Sequence, residues 1–237
     1  MNINTRIRAI VALVVLATTG AVLAPATAGA QNVVMCGGQV ATIVGTPGDD
    51  VLSGTDAPDV IAGLQGNDRI HGFGGDDIIC GGIGDDSIRG GLGFDILFGA
   101  QGSDVIWGGN GSSLDGDEDT AGNRIFGGQG DDFITGTTRW DRMQGGPGRD
   151  FMRGGAGRDW MRGGADRDIM QGDQGIDDLH GGNGDDSLYI ENADVVRGGA
   201  GQDNCIDVLN FANAQTISCE REWEASDDLR NLVLGER

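Results

Sequence analysis

Carboxylates are the residues of this 237-residue chain with chemistry to offer, and their spacing is regular. An aspartate recurs every nine residues at Asp50, Asp59, Asp68, Asp77, Asp86, Asp95 and Asp104. The series resumes at Asp132, Asp141, Asp150, Asp159, Asp168, Asp177 and Asp186, then Asp194 and Asp203. Glycines precede most of these aspartates at fixed distances, as in Gly81-Gly82-Ile83-Gly84-Asp85-Asp86. Glycine admits backbone conformations closed to other residues, so carbonyl oxygens in such a turn can face a central cation. The carboxylate adds a hard oxygen, which suits Ca²⁺ with its 6–8 oxygen ligands. Catalysis has little to work with. Only His71 and His180 are present, and no H-E-x-x-H or G-x-S-x-G motif occurs. The chain is read as non-enzymatic.

Composition points the same way. Asp plus Glu number 37 against 16 basic residues, all of them Arg, for a net charge of -21. That acidity argues against non-specific nucleic-acid binding and against docking on anionic lipid. Glycine is abundant at 46 residues, but with only 4 prolines the chain is not collagen-like. Aromatics at 5% are too few to fill a conventional core of this length.

The elements that position the carboxylates follow from the same period. Two residues after each repeat aspartate stands an aliphatic residue or methionine, from Leu52 and Ile61 through Met143, Met152, Met161 and Met170 to Val196. Cys205 takes that place in the last unit. A three-residue strand alternates its faces, so position eight points inward while seven and nine point outward. Seventeen units fill residues 45–206: fifteen of nine residues, one of 19 (108–126, with Asn123 in the aspartate's place) and one of eight (190–197).

This register, G-G-x-G-x-D-x-U-x, resembles the RTX or haemolysin-type calcium-binding nonapeptide. The resemblance implies an all-β parallel β-roll, a β-solenoid with two nonapeptides per turn, with Ca²⁺ held in the glycine-rich turns. The implied metal ligands are Asp50, Asp59, Asp68, Asp77, Asp86, Asp95, Asp104, Asp132, Asp141, Asp150, Asp159, Asp168, Asp177, Asp186 and Asp203. Units i and i+2 would share an ion, for up to about 15 Ca²⁺. Whether the 19-residue unit makes one turn or two stays open. Ion-free aspartate ladders repel one another. One buried row cannot offset the ordering of so many glycines. Folding is therefore expected to be coupled to Ca²⁺. Family members often join such repeats to a protease, lipase or cytolysin domain, and no stretch here is long enough for one.

Residues 1–30 have the layout of a secretory signal peptide: Arg6 and Arg8, an apolar run at 9–17, and A-x-A sites within 24–30. A membrane anchor is the other reading, but the run is short of the roughly 20 residues a span needs. Cleavage after Ala30 removes two Arg and no acid, leaving -23. The expected location is extracellular, free or surface-associated. The best-known family members leave through a dedicated exporter that reads a C-terminal signal, so export-coupled folding is not carried over.

Cys36, Cys80, Cys205 and Cys219 suggest two disulfides in a secreted chain, with three pairings possible. In the implied coil, about 8.5 turns spaced by about 4.8 Å put the ends about 40 Å apart. A bridge needs Cα atoms within about 7 Å. The expected pairs are therefore Cys36–Cys80 and Cys205–Cys219. Residues 31–44 would cap the start, with a strand at 40–44. Residues 207–237 would cap the finish, with a short helix opening at Ser226-Asp227-Asp228. An acidic insert at 112–122 reads either as a further ion site or as a surface loop.

Three units, 54–62, 136–144 and 190–197, lack most turn glycines and are expected to bind weakly. Arg149, Arg158 and Arg167 precede ligand aspartates and either pair with neighbouring carboxylates or sit solvated. Outward positions stack Val105, Phe133, Phe151 and Ile169 beside Trp107 on one face, and Ile96, Phe98, Phe126 and Trp160 on the other. Such rows are either partner contacts or packing surfaces for the insert and the caps. The alternative function is thus a Ca²⁺-gated adhesin or surface-assembly protein with an unidentified extracellular partner.

Overall fold

The computed structural model describes residues 33–110, 122–191 and 194–207, and the backbone of 216–218. These belong to the second of two units, Met1–Asn32 and Val33–Arg237. The signal segment, nearly all of the insert and the expected C-terminal helix lie outside the described residues.

Each x-U-x triplet is extended, and successive triplets alternate between two parallel sheets. The ten-stranded sheet runs from Ile43–Val44 to Thr216–Ser218, and the nine-stranded sheet from Val51–Ser53 to Asn204–Asp207. Each strand therefore pairs with the one a full coil away, as in Ile61↔Ile79, Ile79↔Leu97 and Ile88↔Ile106. The 19-residue unit contributes one strand, Arg124–Gln129, between Ile96–Gln101 and Arg142–Pro147. Its extra residues sit before the strand and leave the pairing intact. This is an all-β parallel β-solenoid. Among the described residues no helix is long and apolar enough to cross a membrane.

The core is a single file of position-eight side chains lying between the sheets. From Ile61 to Val196 each of them is at most 2% exposed. Burying one such side chain stabilises the fold by about 1.5–3 kcal/mol. Towards the ends of the file Ile43, Leu52 and Cys205 are only partly buried.

The start of the coil departs from the expected strand at 40–44. Met35–Cys36 pairs antiparallel with Gln39–Val40 across Gly37 and Gly38, at φ 56° and 84°. Ala41 N–H then donates to Val34 O and Thr42 N–H to Val60 O, so only Ile43–Val44 enters the large sheet. The segment splits because it serves two partners: the hairpin covers an outer face while Ile43–Val44 continues the ladder. Cys36, Ala62 and Ile78 are buried together, with Ile96 and Phe98 packed against them. A disulfide joins Cys36 to Cys80, Cα to Cα 5.8 Å. Part of one expected outward row is therefore covered by the cap. Cys205 is also disulfide-bonded, while its expected partner, Cys219, lies outside the described residues.

Candidate metal sites in the turns

Each repeat aspartate ends a turn and ties it to its neighbour. Its Oδ1 accepts the backbone N–H of the aspartate one coil earlier, from Asp50 N–H to Asp68 Oδ1 at 2.8 Å to Asp186 N–H to Asp203 Oδ1 at 3.1 Å. The long unit keeps the chain of bonds through Asn123, which accepts from Asp95 N–H and donates to Asp141 Oδ1. The carboxylates thus form two files, one along each turn edge of the coil. From Asp68 to Asp194 they are nearly all buried, at 0–2% exposure. Position one is glycine in every nine-residue unit, where the carboxylate lies against it: a Cβ on Gly72 would overlap Asp77 Oδ2 and the Gly90 carbonyl.

The second carboxylate oxygen divides the turns into two kinds. In open turns, positions two and four are both left-handed, as at Gly82 (φ 124°) and Gly84 (φ 133°) before Asp86. Non-glycine residues hold the same conformation at Leu64, Phe73, Ala100 and Asp173 in position two and at Asp166 in position four. In these turns Oδ2 of Asp68, Asp77, Asp86, Asp104, Asp132, Asp150, Asp159, Asp168, Asp177, Asp186 and Asp203 is buried with no hydrogen-bond donor. The turn ending at Asp95 shares the left-handed pair, Gly91 and Gly93.

In closed turns, threonine occupies position two and no positive φ occurs there. Thr46, Thr55 and Thr137 each donate twice to Oδ2 of Asp50, Asp59 and Asp141. The backbone N–H lies at 2.6–2.7 Å and the hydroxyl at 2.9–3.0 Å. In the eight-residue unit, Glu191 N–H donates to Asp194 Oδ2 at 2.8 Å. Asn123 brings no carboxylate at all.

Burial shapes the electrostatics of the open turns. Desolvation, with neighbouring carboxylates adding to it, pushes Asp159 up to about 9, Asp168 to about 8, and Asp86 and Asp132 to about 7. Asp77, Asp104, Asp150, Asp177 and Asp186 rise to about 6 for the same leading reason. A buried carboxylate oxygen with no donor calls for a positive partner. Among the described residues no three His, Cys, Asp or Glu side chains converge on one point. Side-chain carboxylates alone therefore cannot complete an ion's shell, and backbone carbonyls are the further oxygens that a glycine-rich turn can offer. A hard, oxygen-liking cation fits this donor set, and a soft, thiolate-liking one does not.

The remaining sequence candidates fall elsewhere. His71 stacks on Phe73, ring centroids 3.9 Å apart, and its Nε2 is 3.3 Å from Asn110 Oδ1. Arg167 lies 3.9 Å from Asp185, with both side chains exposed. Arg149 ties the turns through its backbone, its N–H donating to Asp131 Oδ1. The expected outer row is in register, Val105↔Phe133↔Phe151↔Ile169, and the Phe133 and Phe151 rings stack at 5.0 Å. The threonines at position two were not singled out by sequence reading, although Thr at the second place of G-x-x-x-x-D was their visible mark.

A sequence profile described as RTX calcium-binding nonapeptide repeat (4 copies) matches residues 37–57, 53–88, 81–114, 119–138, 135–170 and 171–189, more than half of the chain. No curated protein matches it.

Proposed function

Because this chain belongs to the RTX calcium-binding nonapeptide repeat family, we propose that it is a secreted Ca²⁺-binding coil without catalytic activity whose folding depends on the ion. Ca²⁺ binding is the property its repeats carry. The supporting observation is the set of buried, donor-free Oδ2 atoms on eleven repeat aspartates, from Asp68 to Asp203, arranged along the two turn edges. A bound Ca²⁺ supplies the positive charge and the high oxygen coordination number that this arrangement lacks. The aspartates of the open turns would hold it, together with turn carbonyls. Folding would then follow Ca²⁺ concentration, with affinities of about 10⁻⁴–10⁻³ M as in extracellular modules. Far-UV circular dichroism tests this. A disordered chain in EDTA should gain β structure cooperatively as Ca²⁺ rises, with Mg²⁺ as the control. Equal β content in EDTA and in Ca²⁺ would overturn the coupling.

A second reading, a Ca²⁺-gated surface adhesin, is favoured by the outward row at position seven. Phe133 and Ile169 are 38% and 37% exposed, and Phe133 stacks on Phe151. Replacing Phe133 and Phe151 with Ser should abolish adhesion to the cell surface while leaving the Ca²⁺-induced dichroism unchanged.

A further inference from the structure

Resting on the calcium reading, we infer that the two turn edges of the coil are not equivalent. One carries an unbroken file of ion sites. The other is interrupted by turns that threonine closes from within.

The turns that lead into the nine-stranded sheet are open in succession from Asp68 to Asp203, eight of them. Only the first turn on this edge is closed, where Thr46 covers Asp50. The turns leading into the ten-stranded sheet alternate in kind. Thr55 closes the first, the turns of Asp77 and Asp95 are open, Asn123 has no carboxylate, and Thr137 closes the next. The turns of Asp159 and Asp177 are open again, and Glu191 N–H covers Asp194.

Threonine does chemically what a cation would do. Its N–H and O–H bring two partial positive charges to Oδ2 at hydrogen-bond distance, which satisfies the oxygen and fills the space beside it. Its backbone avoids the strained left-handed conformation that five non-glycine residues adopt in open turns. A closed turn therefore has no unmet oxygen to offer. An ion shared by stacked turns needs both to be open, which leaves seven intervals on one edge and two on the other. The coil would hold about nine Ca²⁺ rather than about fifteen.

The test counts ions on the full-length chain, by elemental analysis after equilibrium dialysis against millimolar Ca²⁺. A wild-type count nearer nine than fifteen is expected. Thr46→Gly turns Gly45–Asp50 into G-G-P-G-D-D and should add one ion, because Gly48 already occupies position four. Asp50→Ala should lose none, whereas Asp86→Ala should lose at least one. Circular dichroism in Ca²⁺ checks that each variant folds, and the wild-type count needs no variant. A count nearer fifteen, or a folded Thr46→Gly that gains nothing, would overturn the inference and leave the calcium reading standing. No bound ions in any form would overturn the calcium reading itself.

Discussion

At the residue scale the repeat aspartate is first of all a joint between turns. One oxygen locks two turns together through a backbone N–H, and the other is left for a positive partner or for a threonine. The raised carboxyls carry a pH consequence in the absence of Ca²⁺. In the unfolded chain these groups ionise near 3.8, while in the coil they hold protons until about 6 to 9. The native state therefore binds more protons over that interval. The stability this contributes is fully present below about pH 4 and is lost as pH rises through the folded values. In EDTA, β content measured by circular dichroism should be higher at pH 4–5 than at pH 8. With Ca²⁺ present the order should reverse, because the ion competes with the proton for the same oxygens. The aspartate positions were legible from period and residue type alone. The fate of Oδ2 was not, because it depends on the φ of a residue four places earlier, and a threonine there is an ordinary surface residue to any reading of composition.

At the element scale, the strands were legible because a nine-residue period with one apolar residue per unit leaves a single way to bury that residue. The structure keeps that residue within 2% exposure from Ile61 to Val196. Methionines fill the middle of the file, Met143, Met152, Met161 and Met170, each fully buried. Met152→Ala should therefore cost about 2–5 kcal/mol in urea unfolding at saturating Ca²⁺, whereas Met152→Leu should cost under about 1.5 kcal/mol. The N-terminal cap was less legible. Residues 40–44 have strand composition throughout, and nothing in their types says that Gly37–Gly38 folds the preceding residues onto an outer face. The Cys36–Cys80 pair could be reasoned out only once a rod with distant ends was assumed.

At the scale of the whole molecule, charge and architecture are coupled. Each coil turn touches only its neighbours, so stability is close to a sum of turn and interface terms. A net charge of -21 opposes that sum. About nine Ca²⁺ would bring eighteen positive charges and leave the chain near neutrality, mostly along one edge. The four buried methionines have a further consequence. Thioethers convert to sulfoxides wherever an oxidant reaches them. In the closed coil the row is sealed, while Met35, at 53% exposure, stands in solvent. Peroxide should thus mark Met35 in every molecule and the inner row only in chains that have opened. The sulfoxide content of that row, read against Met35, becomes a cumulative record of how long the protein has spent unfolded.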